Sequence, residues 1–280
     1  MQPLTDQARA RYDALLAVAA QTVVGLDFDG TLSPIVDDPA RAFVHPDGPR
    51  VLTELAGRVG AVVVVTGRPA RQVVELGRLD AVADGLAPGA RLAVLGQYGN
   101  ERWDAHTREF RSPEPPPGLE AFRAELPALL DGAGAADAFV EEKGLAVAVH
   151  TRRLADPRQA FVRLEEVLAD AAERHGLTLE PGRQVLEVRA GEVNKGIALG
   201  DALDEHHAGG VLFAGDDLGD LEAFEAVRRR RDGDGLPALL VCSGSEEQEA
   251  LTRLADVVVD GPAGVLDLLA TFAADATQTS

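Results

Sequence analysis

The chain lacks several things, and each shortage removes a class of function. It has one cysteine, Cys242, in 280 residues. A single thiol can build neither an intrachain disulfide nor a cysteine-ligated zinc site, and the scarcity fits a reducing, cytoplasmic setting. Cys242 lies in the apolar run Leu239-Leu240-Val241-Cys242, where a thiol serves as a small buried hydrophobe. Aromatic residues make up only 4%, so the core must be packed with Val, Leu and Ala. No run of about 18 consecutive apolar residues occurs, so no membrane-spanning helix is expected. Asp6, Arg9, Arg11 and Asp13 interrupt the N-terminal segment, which reads as an amphipathic helix and not as a signal peptide. Positive charge is also scarce: 27 Lys and Arg stand against 46 Asp and Glu, a formal net charge of -19. Such a chain repels phosphate backbones and anionic membrane surfaces at long range, so neither nucleic acid nor a membrane is an expected partner. A small phosphorylated molecule remains compatible, because local cations dominate within a Debye length of about 8 Å at physiological salt.

What is present is enough apolar material for a sizeable core, 46% of the residues. Short β-branched or Leu-rich runs at 22–28, 61–66, 92–95, 211–214, 238–242 and 257–259 are each bounded by Gly, Asp or Pro and read as buried parallel strands. Helical spacing appears between them, at 49–58 and at 218–231. Strands alternating with helices imply an α/β fold, a Rossmann-like doubly wound parallel sheet covered on both faces. The middle differs. The segment Arg111-Ser112-Pro113-Glu114-Pro115-Pro116-Pro117-Gly118 reads as a stiff linker or hinge, followed by helices at 119–130 and 157–175 and strands at 145–150 and 184–189. This is read as an inserted α+β domain, giving a core over 1–110 and 186–280 with the insert at 111–185. The tail 274–280 is expected to fray. Four consecutive arginines, Arg228 to Arg231, fall at a helix C-terminus, where cations complement the dipole.

Chemistry-bearing residues gather where these strands end. Asp27 and Asp29 close the first strand, and Gly30 lets the backbone turn sharply after them. Two carboxylates so close repel each other unless a cation is shared, and Mg²⁺, a hard ion taking oxygen ligands, supplies one. Asp and Gly are also ordinary turn formers. Thr66-Gly67-Arg68 ends the second strand; a hydroxyl, exposed backbone N–H groups and a guanidinium suit a phosphate, although Thr66 could equally cap a helix. Lys195 opens a helix and could neutralise a phosphate and a nucleophile, or be solvated. Gly215-Asp216-Asp217-Leu218-Gly219-Asp220 brings three further carboxylates to another strand end, with Asp216 and Asp220 the candidates to face a metal and Asp217 or Asp220 a candidate cap. One sheet would bring all four motifs to one edge.

The order Asp-x-Asp-Gly-Thr, Thr-Gly-Arg, Lys, Gly-Asp-Asp-x-x-Asp resembles the haloacid-dehalogenase-like phosphatase superfamily, and the insert matches its cap domain. Within it, the segment from Leu26 to Ile35, Gly96-Gln97-Tyr98-Gly99-Asn100-Glu101, Val140-Glu141-Glu142-Lys143-Gly144-Leu145 with His150 and Arg152, and Val185-Leu186-Glu187-Val188-Arg189 resemble the trehalose-6-phosphate phosphatases. The resemblance spans about Val23 to Leu268. It implies Asp27 as nucleophile, Asp29 as acid and base, and Thr66 and Lys195 as stabilisers of the transferred phosphoryl group. It further implies Mg²⁺ held by Asp27, the Asp29 carbonyl and Asp216, with Asp217 or Asp220 behind them. Arg68, Glu141, Lys143, Arg183 and Glu187 would contact a sugar phosphate substrate, and a functional link to a trehalose-6-phosphate synthase follows. Tyr98 departs from the family's usual His, Arg183 from a Lys, Ala190 from a Pro and Gly219 from a Thr. Competing readings are a capped phosphatase for sucrose-phosphate or mannosyl-phosphoglycerate, a phosphosugar-binding module, and a mutase.

Overall fold

The computed structural model describes residues 5–36, 38–182, 184–191, 193–244 and 249–277. The elements begin with α1 (Asp6–Leu16), β1 (Thr22–Leu26), α2 (Gly48–Ala56), β2 (Ala61–Val65), α3 (Ala70–Leu76), α4 (Leu79–Asp84), β3 (Leu92–Gly96), β4 (Glu101–Asp104) and β5 (Phe110–Arg111). Then follow α5 (Pro117–Gly132), β6 (Phe139–Glu142), β7 (Ala146–His150), α6 (Pro157–Arg174), β8 (Thr178–Gly182) and β9 (Val185–Arg189). The chain ends with α7 (Lys195–Glu205), β10 (Gly210–Gly215), α8 (Leu221–Asp234), β11 (Ala238–Gly244), α9 (Glu249–Leu254), β12 (Val257–Asp260) and α10 (Gly261–Ala276). They form two compact units, Met1–Arg111 with Asn194–Ser280, and Ser112–Val193.

The first unit holds an eight-stranded sheet in the order β12-β11-β10-β1-β2-β3-β4-β5. All pairings from β12 to β3 are parallel. Pleating sends alternate residues to opposite faces. Val24, Leu26, Val62 and Val64 join a cluster with α1, α2, α3, α4 and α10, while Val23, Ala61, Val63 and Val65 join one with α7 and α8. Burial on both sides explains the continuous apolar runs. Each fully buried Val or Leu contributes about 1.5–3 kcal/mol, so the strand interiors have no room for polar groups. Polar chemistry is left to the strand ends. From β1 the chain winds outward through β2 and β3, then returns to β10 on the other flank. The carboxyl ends of β1 and β10 therefore flank the point where winding reverses, the usual crevice for ligands in such sheets.

Some expectations change. The sheet carries an antiparallel margin, β4 and β5, that the sequence reading missed. These strands are short and mostly polar, and only the fully buried Trp103 reveals a core-facing position. The tail expected to fray from 274 is helical through Ala276, because Phe272, Ala273 and Ala276 are buried in the core; residues 278–280 lie outside the described residues. No helix among the described residues is long and apolar enough to cross a membrane.

The second unit is a four-stranded antiparallel sheet, ordered β6-β7-β9-β8. Val147, Val149, Leu186 and Val188 pack with α5 and α6. The alternate positions form the opposite face, where Glu141, Ala148, Glu187 and Glu180 lie in one row across the strands. The boundary expected at residue 185 cuts through this sheet. β9 pairs with β7 and β8, so the unit extends to Val193. Pro116 and Pro117 belong to the start of α5, where a fixed φ and a missing N–H cost nothing.

Candidate active site

Four strand ends of the first unit deliver the site. Asp27 follows β1 directly, and its N–H donates to the Ala214 carbonyl at 2.9 Å, which extends the β1–β10 ladder by one residue. The chain then turns at Gly30, whose φ is +70°. A Cβ there would lie 2.0 Å from Asp216 Oδ2, so only glycine admits the Asp216 carboxylate. Ser243 at the end of β11 is buried and donates its hydroxyl to the Gly30 carbonyl at 2.6 Å. Sequence reasoning missed this brace; a small polar residue ending a strand next to β10 was its only signal.

Lys195, the first residue of α7, is 4% exposed. Asn194 caps that helix by accepting from the Ile197 N–H at 2.9 Å, which fixes where Lys195 enters. Lys195 Nζ donates to Asp27 Oδ1 and to Asp220 Oδ1, both at 2.7 Å. Asp220 is fully buried, and its other oxygen accepts from the N–H groups of Asp216 (2.9 Å) and Asp217 (3.3 Å). Of the two acids left open, Asp220 is thus the one that contacts Lys195. Asp217 is exposed; it accepts from the Gly219 N–H at 2.9 Å and forms a capping box with Asp220.

The electrostatics follow from burial. Desolvation, then the nearby Asp220, pushes the Asp27 carboxyl well above its ordinary range, and Lys195 only partly opposes this. Burial and the charges of Asp217 and Asp220 push Asp216 up to about 8. Burial disfavours charge on Lys195, yet Asp220 and Asp27 outweigh it and raise its pKa well above normal. Asp27, Asp216 and Asp220 present oxygens within 4.8 Å of one another. Three buried carboxylates against one ammonium leave a deficit of positive charge that only protons or a cation can fill. An oxygen-only donor set of this kind fits a hard divalent cation. The Asp29 side chain is engaged by Arg68: both its oxygens accept, from Nε at 2.6 Å and from Nη2 at 2.7 Å. Arg68 also donates to the Pro39 carbonyl at 2.9 Å and lies 5.9 Å from the Phe28 ring centroid.

Thr66 is buried just past β2, and its Oγ1 accepts from the Arg68 N–H at 3.1 Å. That contact occupies the oxygen and leaves the hydroxyl hydrogen to donate elsewhere. In the second unit, Lys143 Nζ donates to Glu187 Oε2 at 2.5 Å, and Glu141 pairs with His150 Nε2 at 2.8 Å. These residues lie on the face opposite α5 and α6. Arg183 lies outside the described residues.

The Rossmann-like core has the fold of the haloacid dehalogenase-like hydrolases. A solved hydrolase of that description from Bacteroides thetaiotaomicron aligns with a TM-score of 0.63 over 89% of this chain and 98% of its own, at 14% identity. The Trehalose-phosphatase family profile matches residues 25–82 and 133–257. A Sinorhizobium fredii protein described as "Probable trehalose-phosphate phosphatase" is 34% identical over 236 residues, covering 81% of this chain and 83% of the relative. The trehalose-phosphate phosphatase of Mycobacterium tuberculosis is 32% identical over 282 residues, covering 94% and 68%. The chain belongs to the trehalose-phosphatase family.

Proposed function

We propose that this chain hydrolyses trehalose 6-phosphate to trehalose and phosphate through an aspartyl-phosphate on Asp27, as a step of trehalose biosynthesis. The observation that carries the reading is the buried Asp27–Lys195–Asp220 chain of contacts at the sheet's switch point. Lys195 neutralises Asp27 so that a carboxylate can approach an anionic phosphate, and Asp220 holds the ammonium in place. The Asp27 oxygen attacks phosphorus, and the sugar oxygen leaves with a proton from Asp29. Water then attacks the same phosphorus, gives its proton to Asp29, and frees Asp27 and phosphate.

For that role Asp29 must leave the fork of Arg68, and the incoming phosphate is the anion that can take its place there. Thr66 donates its free hydroxyl hydrogen to the transferring group. Mg²⁺, held by Asp27, Asp216 and the Asp29 carbonyl, would supply charge neutralisation. Asp220, with both oxygens engaged, serves behind them. Glu141, Lys143 and Glu187 in the second unit, read as a cap, are assigned to the sugar hydroxyls, which carboxylates and ammonium groups match. The setting is cytoplasmic, downstream of a synthase that makes the phosphorylated disaccharide.

Phosphate release from a panel of trehalose, sucrose, glucose and mannosyl-glycerate phosphates tests the substrate. Preference for trehalose 6-phosphate is the expected result. Equal or better turnover of another sugar phosphate would reassign the specificity while leaving the chemistry intact.

A further inference from the structure

Two consecutive residues that are not glycine, Gln97 and Tyr98, hold left-handed backbone, with φ of 46° and 61°. They follow β3 directly, on the same edge of the sheet as Thr66. L-residues rarely adopt this conformation, and where they do the surrounding contacts must enforce it. Here two backbone contacts lead to one loop. The Tyr98 N–H donates to the Thr66 carbonyl at 2.9 Å, and the Gln97 N–H donates to the Arg68 carbonyl at 2.9 Å. The backbone at residues 66–68 is thus tied at both ends by the strained pair. Between the ties sits Gly67, where a Cβ would lie 2.8 Å from the Tyr98 hydroxyl oxygen and 2.9 Å from the adjoining ring carbon. The tip of the phenol therefore rests on the Gly67 backbone, and no side chain fits beneath it.

The pair is itself braced. Gln97 is 3% exposed, and its Nε2 donates to Glu101 Oε1 at 3.1 Å. The other Glu101 oxygen accepts from the Ala70 N–H at 2.7 Å, at the start of α3. Loop 66–68 is therefore fixed from the β3–β4 side and at its exit into α3.

We infer that Tyr98 is a positioning residue that presses on Gly67 and sets where the Thr66 hydroxyl and the Arg68 backbone stand relative to the transferring phosphoryl group. The inference rests on the reading of residues 66–68 as the phosphate cradle. The strain at 97–98 is the means: the left-handed turn is what brings the phenol back over a loop on the neighbouring strand. Loss of the ring should relax the cradle without touching the groups assigned to the sugar, so kcat should fall while KM stays nearly constant.

The test uses the Mg²⁺-supplied full chain and orthovanadate, which mimics the five-coordinate phosphorus. Tyr98→Ala is expected to weaken orthovanadate binding, measured by calorimetry, about tenfold and to lower kcat by a similar factor, because small misplacements are costly in such sites. KM for trehalose 6-phosphate should change less than about twofold. Tyr98→Phe should restore both values, and Tyr98→Gly, which accepts the backbone but lacks the ring, should match Tyr98→Ala. If Tyr98→Ala does not fold, Tyr98→Leu carries the same comparison. Folded ring-deleted variants that bind orthovanadate like the parent, while Thr66→Val binds it weakly, would overturn the inference alone. A Tyr98→Phe variant as weak as Tyr98→Ala would also overturn it, since a positioning ring survives loss of its hydroxyl. If Thr66→Val also binds normally, the cradle reading fails and the inference with it.

Discussion

The two sheets of this molecule place their polar groups in opposite ways. In the eight-stranded sheet, both faces of the central strands are buried, and the ionisable residues crowd beyond the strand ends. In the four-stranded sheet, α5 and α6 pack on one face, and Glu141, Lys143, His150 and Glu187 lie on the other. The pairing differs as well. The strand-end cluster sets three buried carboxylates against one lysine, whereas the second sheet pairs Lys143 with Glu187 and Glu141 with His150. An unbalanced, buried cluster stores electrostatic tension that a cation can relieve. A balanced row of donors and acceptors suits an uncharged polyol. Chemistry in the first unit and recognition in the second is what this contrast suggests.

That division can be broken or sharpened, beginning with the largest effect. Asp27→Asn should lower kcat by about four orders of magnitude or more while circular dichroism stays unchanged, as expected when a nucleophile is removed. Activity near that of the parent would dissolve the distinction between the units. Lys195→Met should follow, with kcat reduced about a hundredfold or more. Its thermal midpoint should drop too, because removing one partner of a buried ion cluster costs about 3–5 kcal/mol.

Metal removal probes the same imbalance through pH. Asp216 has a native pKa of about 8, against about 3.9 in an unfolded chain. Between these values the native state binds a proton that the unfolded state does not. The metal-free protein should therefore hold this contribution below about pH 4 and lose it as pH rises towards about 8. A bound cation replaces the protons, so the rise in thermal midpoint on adding Mg²⁺ should be larger at about pH 8 than at about pH 6. A rise that shrinks with pH would contradict the role given to Asp216.

In the second unit, Glu187→Gln should raise KM for trehalose 6-phosphate about tenfold with kcat changed far less, the signature of lost uniform binding. A fall in kcat with unchanged KM would assign this sheet to chemistry instead. The smallest effect is expected at Asp217. Asp217→Ala loses a cap worth about 1 kcal/mol and should lower the thermal midpoint slightly, with kcat within about threefold of the parent. The contrast with Lys195→Met separates a turn former from the ammonium's neighbourhood.

The same contrast governs how much could be read from sequence. The parallel strands and all four strand-end motifs are contiguous in the chain, so β1, β2, β3, β10, β11 and β12 and the residues after them were legible. The second sheet's polar face was not legible as a face, because it depends on the register of β6, β7, β9 and β8, and β6 (Phe-Val-Glu-Glu) and β8 (Thr-Leu-Glu-Pro-Gly) are short and carry too few apolar residues to show as strands. For the same reason the boundary expected at 185 fell inside β9. Contacts that depend on backbone shape were also invisible: Arg68 clasping Asp29, Ser243 bracing Gly30, and the left-handed turn at Gln97 and Tyr98. A positive φ at tyrosine has no sequence signal, and Tyr98 registered only as a departure from the family's histidine.

The central claim is that Asp27 accepts the phosphoryl group. Its most direct test is rapid acid quench of the enzyme turning over trehalose 6-phosphate, followed by peptide mass spectrometry. One phosphoryl group on the peptide containing Asp27, absent from Asp27→Asn, is the predicted result. A phosphoryl group on a different residue, or steady turnover by Asp27→Asn at the parent rate, would contradict it.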